Sequence, residues 1–300
     1  MLSRAKPPWA LWAAVSATLG ALGVGSVLLV RAEPGPRPPF LDASPSGPVA
    51  PVPRAIVEVA GSGSNLPLTR ALASAFVAAH PGPGVVVHES IGSRGGVLAV
   101  HDGAIDVGLV SRDLTATELG YGLTVVPYAR VPVVWATNPS VPDQDLTPAT
   151  LLALYRGERT AWSDGTPVVV LQREPGDSSH LAAAHVIPEF ARVDEEAWRE
   201  GRWRVLYHDL DMQEALVATP GAIGLLDYGA IVSQRLTLRI VRVDGVRPSP
   251  ETVASGAWRF TKDLSFVIGP TPPPRVAQLL AYVRSEAGQR LIRESGYVPR

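Results

Sequence analysis

The chain has 300 residues, is 46% hydrophobic and carries a net charge of −1. That is enough for a large core or two lobes, and too balanced a charge to hold nucleic acid through a basic field. Cysteine is absent, which excludes disulfides, thiolate metal sites, a cysteine nucleophile and a lipid-modified N-terminal cysteine.

Arg4 and Lys6 precede an uncharged, largely apolar run over residues 7–30, closed by Arg31. About 20 apolar residues suffice to span a bilayer as a helix. Residues 1–31 therefore read as a secretory signal, with Val30-Arg31-Ala32 as its cleavage site, or as a retained membrane anchor. The run is long for a signal, which favours the anchor. Either way the rest of the chain is exported, with the N-terminus on the cytoplasmic side. Residues 32–54 are dense in proline and read as an extended linker that forms neither helix nor sheet.

The globular part spans 55–300. An alternating run at 55–60 enters Gly61-Ser62-Gly63-Ser64-Asn65, and Leu66, Leu68, Leu72, Phe76 and Val77 leave it close to a 3.6-residue period. The order is strand, polar turn, helix. Glycine lets the backbone approach a ligand, serine and asparagine cap or donate, and the first helical N–H groups point into the turn. Alone, the stretch reads first as an ordinary βα turn with a serine cap. Residues 84–89 form a second strand, and 91–97 a second Gly/Ser turn that opens a helix. A third strand at 106–110 ends in Ser111-Arg112-Asp113. A short helix at 115–120 and a strand around 131–135 follow. The middle of the chain repeats the logic: a helix at 147–156, a strand at 168–171, then a polar turn from Gln172 to His180 that carries Arg173, and a helix at 181–190. A helix at 211–218, strands at 222–226 and 236–243, and one long amphipathic helix at 274–295 complete the chain. This alternation predicts an α/β fold with a largely parallel sheet, whose ligands bind at the carboxyl ends of strands.

Other chemistries fail on the residues. Leu66 stands where a dinucleotide fingerprint needs its third glycine, and no P-loop lysine is present. The six histidines form no HExxH pair, and there is no G-x-S-x-G elbow. No catalytic residue, metal ligand or cofactor is assigned.

Several pieces, in order, resemble the phosphate-type periplasmic substrate-binding proteins of ABC importers. They are the turn at 61–65, Ile91-Gly92-Ser93-Arg94-Gly95-Gly96-Val97, and Ile105-Asp106-Val107-Gly108-Leu109-Val110-Ser111-Arg112. Next come Leu154-Tyr155-Arg156-Gly157 with Trp162-Ser163-Asp164-Gly165, the run from Arg173 to Ser179, and Thr219-Pro220-Gly221-Ala222-Ile223-Gly224. The last is Glu286-Ala287-Gly288-Gln289 with Gly296-Tyr297-Val298-Pro299. The resemblance implies a two-lobe type II periplasmic-binding-protein fold with two crossover strands, here preceded by an N-terminal hydrophobic helix. Lobe one would hold about 55–135 plus 244–300, and lobe two about 136–243. It implies that Ser64, Asn65 and Leu66 meet the anion through side chain and backbone N–H. Ser93 would offer a hydroxyl at a helix N-terminus, Arg173 would pair with the anion, and Ser178 and Ser179 would open the helix that follows. Two positions depart from the family. Ser111 stands where phosphate binders often carry an aspartate that accepts the ligand's proton. Asp177 stands where serine is usual, and is either a helix cap or a displaced proton acceptor.

The expectation is therefore an exported protein, in the periplasm or at the outer face of the cytoplasmic membrane. It would bind inorganic phosphate or a similar tetrahedral oxyanion and deliver it to an ABC transporter permease. It would touch the membrane through its N-terminal helix, bind no nucleic acid, act as a monomer and perform no enzymatic step. The alternative is a membrane-tethered sensory or scaffolding protein that reuses the fold with weak or no phosphate binding.

Overall fold

The computed structural model describes residues 56–82 and 84–300. The signal-or-anchor segment at 1–31 and the linker at 32–54 lie outside the described residues. Among the described residues, no helix is long and apolar enough to cross a membrane.

The chain begins with β1 (Val57–Gly61), passes a single 3-10 turn at Gly63–Asn65, and enters α1 (Leu66–Ala79). Then come β2 (Val85–Ser90), α2 (Gly92–His101), β3 (Val107–Val110), α3 (Ala116–Leu119) and the long strand β4 (Thr124–Thr137). The middle comprises β5 (Asp145–Leu146), α4 (Pro148–Arg156), β6 (Val169–Arg173), α5 (Ser178–Val186), α6 (Pro188–Arg199), β7 (Arg204–Leu206), α7 (Asp209–Ala218) and β8 (Ala222–Asp227). After α8 (Tyr228–Ser233), β9 (Arg239–Ile240), β10 (Arg242–Val243) and α9 (Pro250–Ala254), the chain returns through β11 (Thr261–Ile268). It finishes with α10 (Pro274–Arg284), α11 (Glu286–Glu294) and β12 (Val298–Pro299).

The main sheet runs β2-β1-β3-β11-β4-β8-β6-β7. Its flanks are parallel, β1 with β2 and β3, and β6 with β7 and β8. Its centre is antiparallel, β11 with β3 and β4, and β4 with β8. The largely parallel sheet expected from the alternation therefore holds only at the flanks. The centre differs because β4 carries the chain out of one half and β11 carries it back.

The two larger apolar cores sit toward the two ends of this sheet. The first joins Leu72 and Phe76 of α1 with Leu109, Phe266 and Leu279. The second joins Trp135, Leu154, Tyr155, Phe190, Leu216 and Ile223. Burial of a side chain of this kind is worth about 1.5–3 kcal/mol. β4 feeds both, with Tyr128 and Val131 in the first and Val133 to Ala136 in the second. Val246, Val253, Trp258 and Phe260 pack against the second core, although the expected return to lobe one lay at 244.

Two helices differ from the periodicity. The single helix expected at 274–295 is two, because Ser285 is extended (φ −68°, ψ 164°) and its hydroxyl caps the second. The helix expected at 181–190 breaks before Pro188, whose ring and missing N–H end α5 and start α6.

Glycine sets one contact that shapes the cleft. A Cβ on Gly61, at φ +147°, would lie 2.3 Å from the Leu109 carbonyl oxygen, and one on Gly96 would lie 2.9 Å from Gly61 Cα. Their absence lets α2 settle onto β1 and β3, with its N-terminus at the carboxyl ends of those strands.

Candidate functional site

The carboxyl ends of β1, β3 and β6 open onto a cleft of ≈ 410 Å³. Ser62, Gly63, Ser64, Ser93 and Ser111 line it from the side of the first core, and Arg173, Asp177, Ser178 and Asp209 from the second. Its wall is thus mainly hydroxyls, backbone and charge.

The hydroxyls are wired to one another. Ser111 Oγ donates to Ser178 Oγ at 2.9 Å, which joins the two halves across the cleft. Having one proton, Ser111 must accept at its 2.8 Å contact with Ser62 Oγ. The Ser111 backbone N–H reaches Ser93 Oγ at 3.4 Å, so the Ser93 proton stays available to a ligand.

The helix ends differ. α2 starts with no side-chain cap, which leaves N–H groups for an anion. α5 is capped: Asp177 Oδ1 accepts from the N–H of Ser179 at 2.9 Å and of His180 at 3.1 Å. Burial opposes ionisation of Asp177, but Arg173, His180 and Lys262 outweigh it and hold the carboxyl below its usual range.

Arg173 is buried among carboxylates. Its Nε and Nη2 fork onto Glu174 at 3.0 and 3.3 Å, and Nη1 meets Asp209 at 3.2 Å. Nη1 also lies 3.4 Å from Asp177 Oδ2, and Nη2 donates to the Tyr207 carbonyl at 3.3 Å. Burial works against its charge, yet Asp177, Asp209 and Glu174 hold the guanidinium above even its ordinary high range. Asp209 opens α7 and crosses the cleft to Gly63, where a Cβ would lie 2.2 Å from Asp209 Oδ2. A side chain at position 63 would push that carboxylate aside. Arg112 also faces the cleft, but its guanidinium forks onto Glu118, both contacts at 2.8 Å. That hydrogen-bonded pair, against the opposing effect of burial, lowers the Glu118 carboxyl to about 2.

Of the residues expected at the site, Ser64, Ser93, Ser111, Arg173, Asp177 and Ser178 line the cleft, and Asn65, Leu66 and Ser179 do not. The Asn65 amide is fully buried and donates to the Val110 carbonyl at 3.2 Å and to Tyr128 Oη at 3.1 Å. It ties the first turn to β3 and β4. Leu66 is buried, and its N–H is spent on the Gly63 carbonyl within the 3-10 turn.

Lys262 is a group that the motifs left out. It lies on β11 opposite Val131 of β4 and is only 7% exposed. Its Nζ donates to Ser64 Oγ at 2.8 Å and to Ser178 and Ser179 Oγ, each at 2.9 Å, and lies 3.0 Å from Asp227 Oδ1. Burial pushes the Asp227 carboxyl upward, and Lys262 offsets this only in part. One signal was readable. Alternation puts Lys262 on the same strand face as Leu264, Phe266 and Ile268, all buried, and a lysine there needs a partner.

Known proteins bear on this geometry. The phosphate-binding protein PstS of Borreliella burgdorferi is 23% identical over 220 residues, covering 71% of this chain and 79% of the relative. A solved structure of a putative phosphate ABC transporter substrate-binding protein with bound phosphate, from Clostridium perfringens, superposes with a TM-score of 0.70 at 24% identity. That match covers 82% of this chain and 99% of the other. An ABC-type phosphate transport receptor from Vibrio cholerae gives 0.59 at 20% identity, over 81% of this chain and 99% of the other. These structures share its mixed α/β two-lobe fold. The family described as the PBP superfamily domain matches residues 48–287, and the chain belongs to that family.

Proposed function

We propose that the protein binds inorganic phosphate, or a closely similar tetrahedral oxyanion, in this cleft and delivers it to the permease of an ABC importer. The observation that carries the reading is the convergence of seryl hydroxyls and Arg173 from two separate cores on one polar cleft. Relatives whose names specify phosphate binding and phosphate transport support it. Ser64, Ser93 and Ser178 act as the hydroxyl donors, with Ser111 orienting Ser178 through its own proton and Ser179 held behind them. The uncapped N-terminus of α2 supplies backbone donors. Arg173 takes the anion in exchange for Asp209, which is more exposed than Asp177. Asp177 stays as the cap of α5. Hydrogen bonds to charged groups are worth about 1.5–3 kcal/mol each. A handful of them offsets desolvation and leaves the ~8 kcal/mol of a micromolar complex.

The reading assigns no covalent step, cofactor or metal. It places the protein outside the cytoplasmic membrane, on the strength of the apolar N-terminal segment, and takes it to act as a monomer. The sensory alternative gains no support from the relatives. Isothermal titration of the purified chain in detergent against phosphate, sulfate, molybdate and tungstate tests it. We expect micromolar or tighter phosphate binding, and a flat phosphate titration sinks the assignment.

A further inference from the structure

We propose that Lys262 is the positioning residue of the anion site, setting the direction of the Ser62–Ser111–Ser178 hydroxyl chain so that Ser178 presents its proton to the anion. This deepens the oxyanion-binding reading and rests on it. An ammonium carries three protons and no acceptor. Lys262 has three seryl oxygens within 2.9 Å, those of Ser64, Ser178 and Ser179. Ser178 Oγ therefore accepts from Lys262, and it accepts again from Ser111. Both of its lone pairs are engaged, so its own proton must leave the cluster, and Ser178 lines the cleft. Without the ammonium the chain can reverse, running from Ser178 to Ser111 to Ser62, and it then turns lone pairs toward an anion.

The surroundings fit this role. Asp227 Oδ1, at 3.0 Å, is the charge partner of the ammonium; burial pushes its carboxyl upward, and Lys262 with the Ser64 hydroxyl pulls it part of the way back. The buried carboxylate neutralises the lysine locally, so oriented hydroxyls face the ligand while the charged pair stays beneath them. Lys262 also sits where β11 crosses between the cores, touching Ser64 from one half and Ser178 and Ser179 from the other. Donor direction and part of the lobe contact thus depend on one side chain.

The test compares wild type, Lys262→Met, Lys262→Met/Asp227→Asn and Ser178→Ala, by thermal melting and by titration with phosphate and with sulfate. Lys262→Met should melt well below wild type, because it strands a buried carboxylate. The double variant should recover most of that loss, yet both should bind the anion at least ~30-fold more weakly, as expected when charge-assisted hydrogen-bond donors are lost or turned away. Ser178→Ala, which retains the buried pair, should lose at least ~10-fold. A double variant that melts like wild type and binds within about threefold overturns the proposal, because the pair would then be structural only. Should the double variant not fold, a Ser178→Ala affinity within about threefold of wild type overturns it equally. If wild type takes sulfate and refuses phosphate, the phosphate assignment fails and Lys262 is judged on sulfate. If wild type takes neither anion, both fall.

Discussion

Two buried cations flank the same cleft and are dressed in opposite ways. Arg173 is wrapped in carboxylates, those of Glu174, Asp177 and Asp209. Lys262 is wrapped in hydroxyls, with Asp227 as its one carboxylate. A guanidinium presents flat, forked donors that suit carboxylate pairs. An ammonium is a compact point donor that suits three small oxygens. The two cations divide the labour. The arginine holds exchangeable acidic partners at the mouth, and the lysine polarises neutral groups underneath.

The strongest way to break that contrast is Arg173→Ala. It leaves Glu174, Asp177 and Asp209 facing the cleft without their cation. We expect phosphate affinity to fall by at least ~100-fold and stability to drop by roughly 3–5 kcal/mol, the usual cost of breaking a buried pair. Calorimetry and a denaturant melt read both, and unchanged affinity would remove Arg173 from the site. Asp209→Asn sharpens the contrast, because it frees one arm of the guanidinium at a partly exposed pair. Affinity should rise about 3–10-fold. A fall would instead make Asp209 a group that the anion needs, such as the acceptor of its proton.

Asp177→Asn removes charge but keeps a capping oxygen. Its expected cost is about 1–3 kcal/mol of stability, because Arg173 loses its most buried carboxylate but keeps Glu174 and Asp209, and the phosphate-to-sulfate preference should stay put across pH 5 to 8. A shift in that preference would make Asp177 the missing proton acceptor. The smallest effect on binding belongs to Glu118→Gln, since Arg112 is turned toward α3. The Glu118 carboxyl is lowered to about 2 in the fold. Its contribution is therefore fully present above the unfolded value near 4.5 and is lost as pH falls toward 2. The melting temperatures of Glu118→Gln and wild type should differ at pH 7 and converge near pH 2. Parallel curves would show that the pair does not stabilise the fold.

Much of this architecture was legible beforehand, and the reasons are local. The strand–polar turn–helix units at 55–77, 84–97 and 168–180 announce themselves by a change of period around glycine and serine. The cleft then follows from the rule that ligands gather at carboxyl ends of strands. What could not be read are features made by long-range return. Alternation marks Lys262 as a buried lysine in need of a partner, but its partners arrive only when β11 comes back beside β4. Asp209 matters because the fold brings it to Arg173, 36 residues back along the chain. Asn65 looked like an anion contact because its type and position fit, and it was claimed instead by Val110 and Tyr128, far along the chain. The antiparallel centre of the sheet was hidden for the same reason, since periodicity carries no direction.

The double duty of β4 also bears on how the chain is made. The second core is assembled from one uninterrupted stretch, between Val133 and Phe260. The first must unite Val57 with Leu279 and Tyr297 from near the opposite terminus. During synthesis the second core can therefore close while the first still waits for its last third, exposing apolar surface that attracts chaperones or aggregates. A chain ended after residue 260 should yield a protease-resistant fragment starting near 133, with the preceding segment degraded. Uniform digestion would mean that the two cores form only together.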